Sequence, residues 1–97
     1  MALYIDPPIW RGRGLLWSHL ISDVSFEELH DFAYRLGAPR RAFERDHYDL
    51  PEEAYAGAVR LGAREVSCQE LLGHLRRSGL RRPKFTGGAA GIPLGGK

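Results

Sequence analysis

The groups of this chain that could move a proton or hold a cation are four histidines and twelve carboxylates, and they cluster. The densest stretch is Asp46-His47-Tyr48-Asp49. An imidazole titrates near neutrality and can serve as general base, metal ligand or donor to phosphate, and a neighbouring carboxylate can orient it. His47 therefore heads the candidate catalytic set, with Asp49, His19 and Asp23. Asp49 also stands where a helix N-cap is wanted, a role that alone would account for it. His19 has the parity of Leu15, Trp17 and Ile21 in an extended stretch. It is either a hydrogen-bonded core histidine or an imidazole oriented by Asp6 or Asp23. His30 and His74 fall on helical stretches as boundary or surface residues and enter no site.

A second group of residues could hold a ligand. Asp6 follows the first extended piece and precedes Pro7-Pro8, where turn chemistry is the competing explanation. Trp10 and Tyr48 could wall a flat ligand, whereas Trp17 reads as core. Arg11 and Arg13 could clamp a phosphate bidentately, with Arg40 and Arg41 opposite them. The spacings name no particular metal and no cofactor: there is no helical histidine pair, nucleophile elbow or phosphate-cradling glycine loop. The lone Cys68 excludes an internal disulfide framework and a cysteine-cluster zinc site.

Three helices must position these groups. Ser25-Phe26-Glu27-Glu28 is a capping box ahead of Leu29, Phe32, Ala33 and Leu36, closed by Gly37. Asp49-Leu50-Pro51-Glu52 predicts a second helix start, with Ala54, Tyr55, Ala58 and Leu61 on its buried face before Gly62. Ser67-Cys68-Gln69-Glu70 opens the third, which carries Leu71, Leu72 and Leu75 to Gly79. Extended pieces are expected at 2–5, 15–22, 41–44 and 64–66, and the Pro7 to Gly14 stretch is expected as a loop. The order β-β-α-β-α-β-α predicts a small α/β domain over 1–82, a largely parallel four-stranded sheet with three helices. Residues 83–97, rich in glycine and without apolar periodicity, predict a flexible tail. In a parallel sheet, Asp6, Ser22, Asp23, Asp46-His47-Tyr48-Asp49 and Ser67 would all gather beyond the carboxyl ends of the strands.

A length of 97 residues allows one core, and 43% hydrophobic with 27% charged residues is the balance of a folded chain. No apolar run is long enough to span a bilayer, and the first residues lack the pattern of a signal peptide, so no membrane role and a cytoplasmic location are expected. The net charge of +2 hides an asymmetry: every acid lies at or before Glu70, and Arg76, Arg77, Arg81, Arg82, Lys84 and Lys97 follow it. Such an end could meet nucleic acid or an acidic partner. Arg76 and Arg77 equally suit the last turn of a helix, and the rest a solvated tail.

Tyr4-Ile5-Asp6-Pro7-Pro8, Trp17-Ser18-His19-Leu20-Ile21-Ser22-Asp23, Glu28-Leu29-His30 and Asp46-His47-Tyr48-Asp49 resemble the bacterial and phage family called domain of unknown function 4031. The resemblance covers roughly positions 2 to 80. It implies that Asp6, His19, Asp23, His47 and Asp49 are motif positions with a shared role, and it names no reaction.

Two functions fit these residues. One is a hydrolase or transferase acting on a small phosphate-containing or nucleotide-like ligand, with His47 as acid/base or metal ligand and the aspartates as ligands or orienters. The other is a non-catalytic binding or regulatory module, as a homodimer or through its basic end.

Overall fold

The computed structural model describes residues 2–83. Its strands are β1 (Leu3–Ile5), β2 (Trp10–Gly12), β3 (Leu15–Ser22), β4 (Phe43–Glu44), β5 (His47–Pro51) and β6 (Arg64–Glu65). Its helices are α1 (Phe26–Leu36), α2 (Tyr55–Leu61) and α3 (Cys68–Ser78). The α/β class and the three helices agree with the sequence. The sheet does not: it is mixed, with six strands in the order β4-β5-β3-β1-β6 and β2 on β3, and only β1 and β6 run parallel.

Two tight hairpins cause part of the difference, adding β2 to β3 and β4 to β5, because a two-residue connection can join only antiparallel strands. Between β2 and β3 stand Arg13 and Gly14, with φ of 50° and 76°. Positive φ at both central residues is what a type I′ hairpin turn requires. The stretch expected as a loop is thus partly strand β2. Between β4 and β5 stand Arg45 and Asp46, with Arg45 at φ 56°. Each turn opens with an arginine at positive φ, where glycine or asparagine is the usual signal, so the sequence concealed them.

The second correction concerns Asp49. It caps no helix: His47–Pro51 is a strand, a short 3-10 turn occupies Glu52–Ala54, and α2 starts at Tyr55 without a side-chain cap. The other two helix starts follow the sequence. Ser67 and Glu70 form the full capping box, and Ser25 accepts from the Glu28 N–H. The Glu28 carboxylate turns instead to the Ser22 hydroxyl, 2.6 Å away.

Strand alternation divides the side chains between two faces. Leu3, Ile5, Leu20, Tyr48 and Leu50 face α1 and α2, packing with Leu29, Phe32, Ala33 and Ala58. Tyr4 and Ile21 face the other way and pack under Leu71 and Leu75 of α3. α3 covers only that end of its face. Trp10, Trp17, His19, His47 and Asp49 share the face by register and lie beyond the helix. No helix among the described residues is long and apolar enough to cross a membrane. The expected tail lies, from residue 84, outside the described residues.

Candidate metal centre

Register builds the site. His19 on β3 pairs directly with Asp49 on β5, and His47 lies two residues before Asp49, so all three side chains emerge on one face. His47 Nε2 is 3.1 Å from Asp49 Oδ1, and His19 Nε2 is 3.9 Å from the same oxygen. The two imidazoles meet edge to face, with centroids 5.0 Å apart.

Each imidazole is held from behind by a buried carboxylate. Asp6, fully buried, accepts from the His19 backbone N–H at 2.6 Å, from His19 Nδ1 at 2.9 Å and from the Trp10 indole at 3.1 Å. Asp46, 1% exposed, faces His47 Nδ1 at 2.8 Å. A carboxylate offers only acceptors, so both Nδ1 atoms carry hydrogen and both Nε2 atoms point to the shared space beside Asp49.

The second oxygen of Asp46 accepts from the Arg82 backbone N–H at 2.7 Å and from the Arg81 guanidinium at 3.3 Å. The Arg82 guanidinium lies 4.1 Å over the Phe26 ring and donates to the Arg45 carbonyl. Two arginines expected in a solvated tail therefore close the back of the site. Arg76 and Arg77 do lie exposed in the last turn of α3, as the helix dipole favours.

Protonation follows from this packing. Burial alone would lower the His47 imidazole, but its hydrogen bonds to Asp49 and Asp46 and their negative charge outweigh that, leaving its pKa above the ordinary value. Burial would raise Asp49, yet the His47 hydrogen bond and the charges of His47, His19 and Arg13 pull its pKa below the ordinary value. When the His47 imidazole is protonated, its Nε2 proton bridges to Asp49.

A cation can take the place of that proton. His19, His47 and Asp49 each offer one atom, and these lie within 4.8 Å of one another. Two ligands at about 2.1 Å from one tetrahedral ion are about 3.4 Å apart, close to the 3.1 and 3.9 Å seen here. Imidazoles backed by carboxylates are the usual supports of such ions, because the outer bond fixes the ring and raises its basicity. Two histidines and one carboxylate suit zinc or ferrous iron and leave coordination positions for water and substrate.

The remaining expected residues fall into two groups. Trp10 lies beside the centre, its ring 5.1 Å from that of His19. Arg13 stands near enough to act on the Asp49 charge and stacks on Trp17 at 4.9 Å. Arg11 is exposed on β2.

Asp23 is elsewhere: it accepts from the Ala2 backbone N–H at 3.0 Å and the Tyr4 hydroxyl at 3.3 Å, tying β1 to the end of β3. Tyr48 points to the opposite face, buried, its hydroxyl 2.8 Å from His30 Nδ1. Ser67 serves as a helix cap. Asp46 lay in the stretch expected to converge with the other acids, but the sequence assigned it no role in the site. The signal for it was present in the Asp-His dipeptide, where an acid at a strand entry can bend back to the next imidazole.

A family model described as "Protein of unknown function (DUF4031)" matches residues 3–78. No curated protein and no solved structure matches the chain.

Proposed function

The chain belongs to the DUF4031 family of unknown function, and we propose that it is a metal-dependent hydrolase or transferase acting on a small phosphate-containing ligand. One observation carries this reading: His19 and His47, each backed by a buried aspartate, aim their Nε2 atoms at the Asp49 carboxylate. Five polar side chains spent on one point of a sheet face exceed what stability asks. Buried charges cost free energy unless they are paired, and an apolar cluster would hold these strands as well.

The roles follow from position. His19, His47 and Asp49 bind the cation; Asp6 and Asp46 fix the rings and keep Nε2 unprotonated when the cation is present. A cation held there would supply a Lewis acid, able to polarise a phosphoryl oxygen and lower the pKa of water. Arg13, beside Asp49, supplies positive charge at the edge of the site. In hydrolysis, water oxygen bonds to phosphorus while the ester oxygen leaves with a proton.

The test is calorimetric titration of metal-free protein with zinc and with manganese, followed by hydrolysis of p-nitrophenyl phosphate. One ion per chain is expected for wild type, and a loss of at least tenfold in affinity for His19→Ala, His47→Ala and Asp49→Asn. Undiminished binding in the His47→Ala protein would sink the reading.

A further inference from the structure

On the same face as the histidines, a cleft of about 400 Å³ runs from His19 and His47 to α3. Its volume is in the range of small-molecule sites. Its two ends differ in chemistry. Toward α3 the accessible apolar wall is Leu72, with Trp10 at the margin, above the buried Ile21 and Leu75. Next to His47 the wall is Arg45 and Arg81.

Arg45 is the informative residue. Its backbone is left-handed, at φ 56°, a conformation uncommon for a side-chain-bearing residue. Its carbonyl is gripped by Arg82. One terminal nitrogen approaches Glu44 at 3.6 Å, while Nε is buried and has no acceptor among the described residues. A buried donor of a charged group left without an acceptor is costly, and the Arg45 side chain as a whole is one-third exposed and lines the cleft, where an anion would offset the charge. Arg81 spends one nitrogen on Asp46 and lines the same end.

We propose that this cleft is the substrate pocket, and that it takes a phosphate monoester of an apolar or aromatic alcohol. The phosphate would lie between Arg45, Arg81 and the cation, and the alcohol against Leu72 and Trp10. Two guanidiniums and a divalent ion match a dianion better than the single charge of a carboxylate. The apolar wall separates this ligand from free phosphate. The pocket rests on the metal-dependent reading for its chemistry and not for its anion contact.

The experiment measures binding of phenylphosphonate, inorganic phosphate and benzoate to zinc-loaded and metal-free protein by calorimetry. Phenylphosphonate is expected to bind zinc-loaded wild type about tenfold more tightly than either of the others, from burial of its ring and its second charge. Arg45→Met is expected to weaken phenylphosphonate at least tenfold with zinc affinity unchanged. Leu72→Gln is expected to bring phenylphosphonate and phosphate closer together. Equal affinity for phenylphosphonate and phosphate, or none lost in Arg45→Met, overturns the pocket. Arg45-dependent phenylphosphonate binding to a chain that takes up no zinc would keep the pocket and reject the metal centre.

Discussion

His47 Nδ1 lies 2.8 Å from Oδ1 of Asp46, and the other oxygen of that buried carboxylate is held by the Arg82 backbone N–H and the Arg81 guanidinium. The chain after α3 thereby sets the angle of an imidazole on β5. The link runs from sequence-distant arginines, through one buried acid, to the atom that would hold a cation.

Asp46→Asn tests that link. The amide keeps the shape of the side chain but can place an N–H donor against donors, and it loses the charge that raises imidazole basicity. Zinc affinity is expected to fall about 10- to 100-fold, the usual cost of losing such a support. Circular dichroism at the same temperature checks that the fold persists, and affinity equal to wild type would remove Asp46 from the site.

The pH dependence of the metal-free protein follows from His47. Its pKa is raised in the folded chain, so its stabilising effect is fully present below the unfolded value, roughly 6.5, and is lost as pH rises through the folded value. Asp49, held below its ordinary value, keeps its charge through this window. In urea melts, the advantage of wild type over His47→Gln is expected to be greatest near pH 6 and to shrink toward alkaline pH. Zinc should reverse the trend, because it displaces the same proton and binds more tightly as pH rises. A wild-type advantage that grew with pH in the absence of metal would contradict the His47 to Asp49 bridge.

What could be read without the structure divides along physical lines. Helices α1 and α3 announced themselves through local chemistry, since Ser25 and Ser67 bond to their own first turns and Gly37 and Gly79 close the last ones. His19, His47, Asp49 and Asp6 were legible as chemistry, but their meeting was expected beyond the ends of parallel strands. It occurs on the face of antiparallel strands, where His19 pairs with Asp49. Register between strands is a long-range property, and here it turns on two hairpins whose arginines adopt positive φ against their usual preference. Asp49 misled for a local reason: an acid three residues before a glutamate, with proline between, has the pattern of a helix start. Asp23 and Tyr48 show the limit of proximity in sequence, because alternation sends Tyr48 to the opposite face from His47 and Asp49.

Ser18 offers a stability test away from the metal. Its hydroxyl is fully buried opposite Leu50 and has no hydrogen-bond partner among the described residues. Burying an unpaired hydroxyl costs about 1–3 kcal/mol. Ser18→Ala should therefore leave the unfolding free energy unchanged or raise it by about 1 kcal/mol, with zinc affinity as in wild type. A clear loss of stability in urea denaturation would show that the hydroxyl has a partner.

Asp23 separates architecture from chemistry. It shares the acid-after-strand position that recommended Asp6, but its oxygens hold Ala2 and Tyr4, just past the end of β3. Asp23→Ala removes two hydrogen bonds that dock β1, each worth about 0.5–1.5 kcal/mol, so a loss of about 1–3 kcal/mol is expected in urea melts. β1 also carries the chain into Asp6, which orients His19. A fold that holds together should keep Asp6 in place through its own three contacts, and zinc affinity should stay within about twofold of wild type, a difference of about 0.4 kcal/mol. Affinity that falls as steeply in Asp23→Ala as in Asp46→Asn would mean that Asp23 supports the centre as well as the strand.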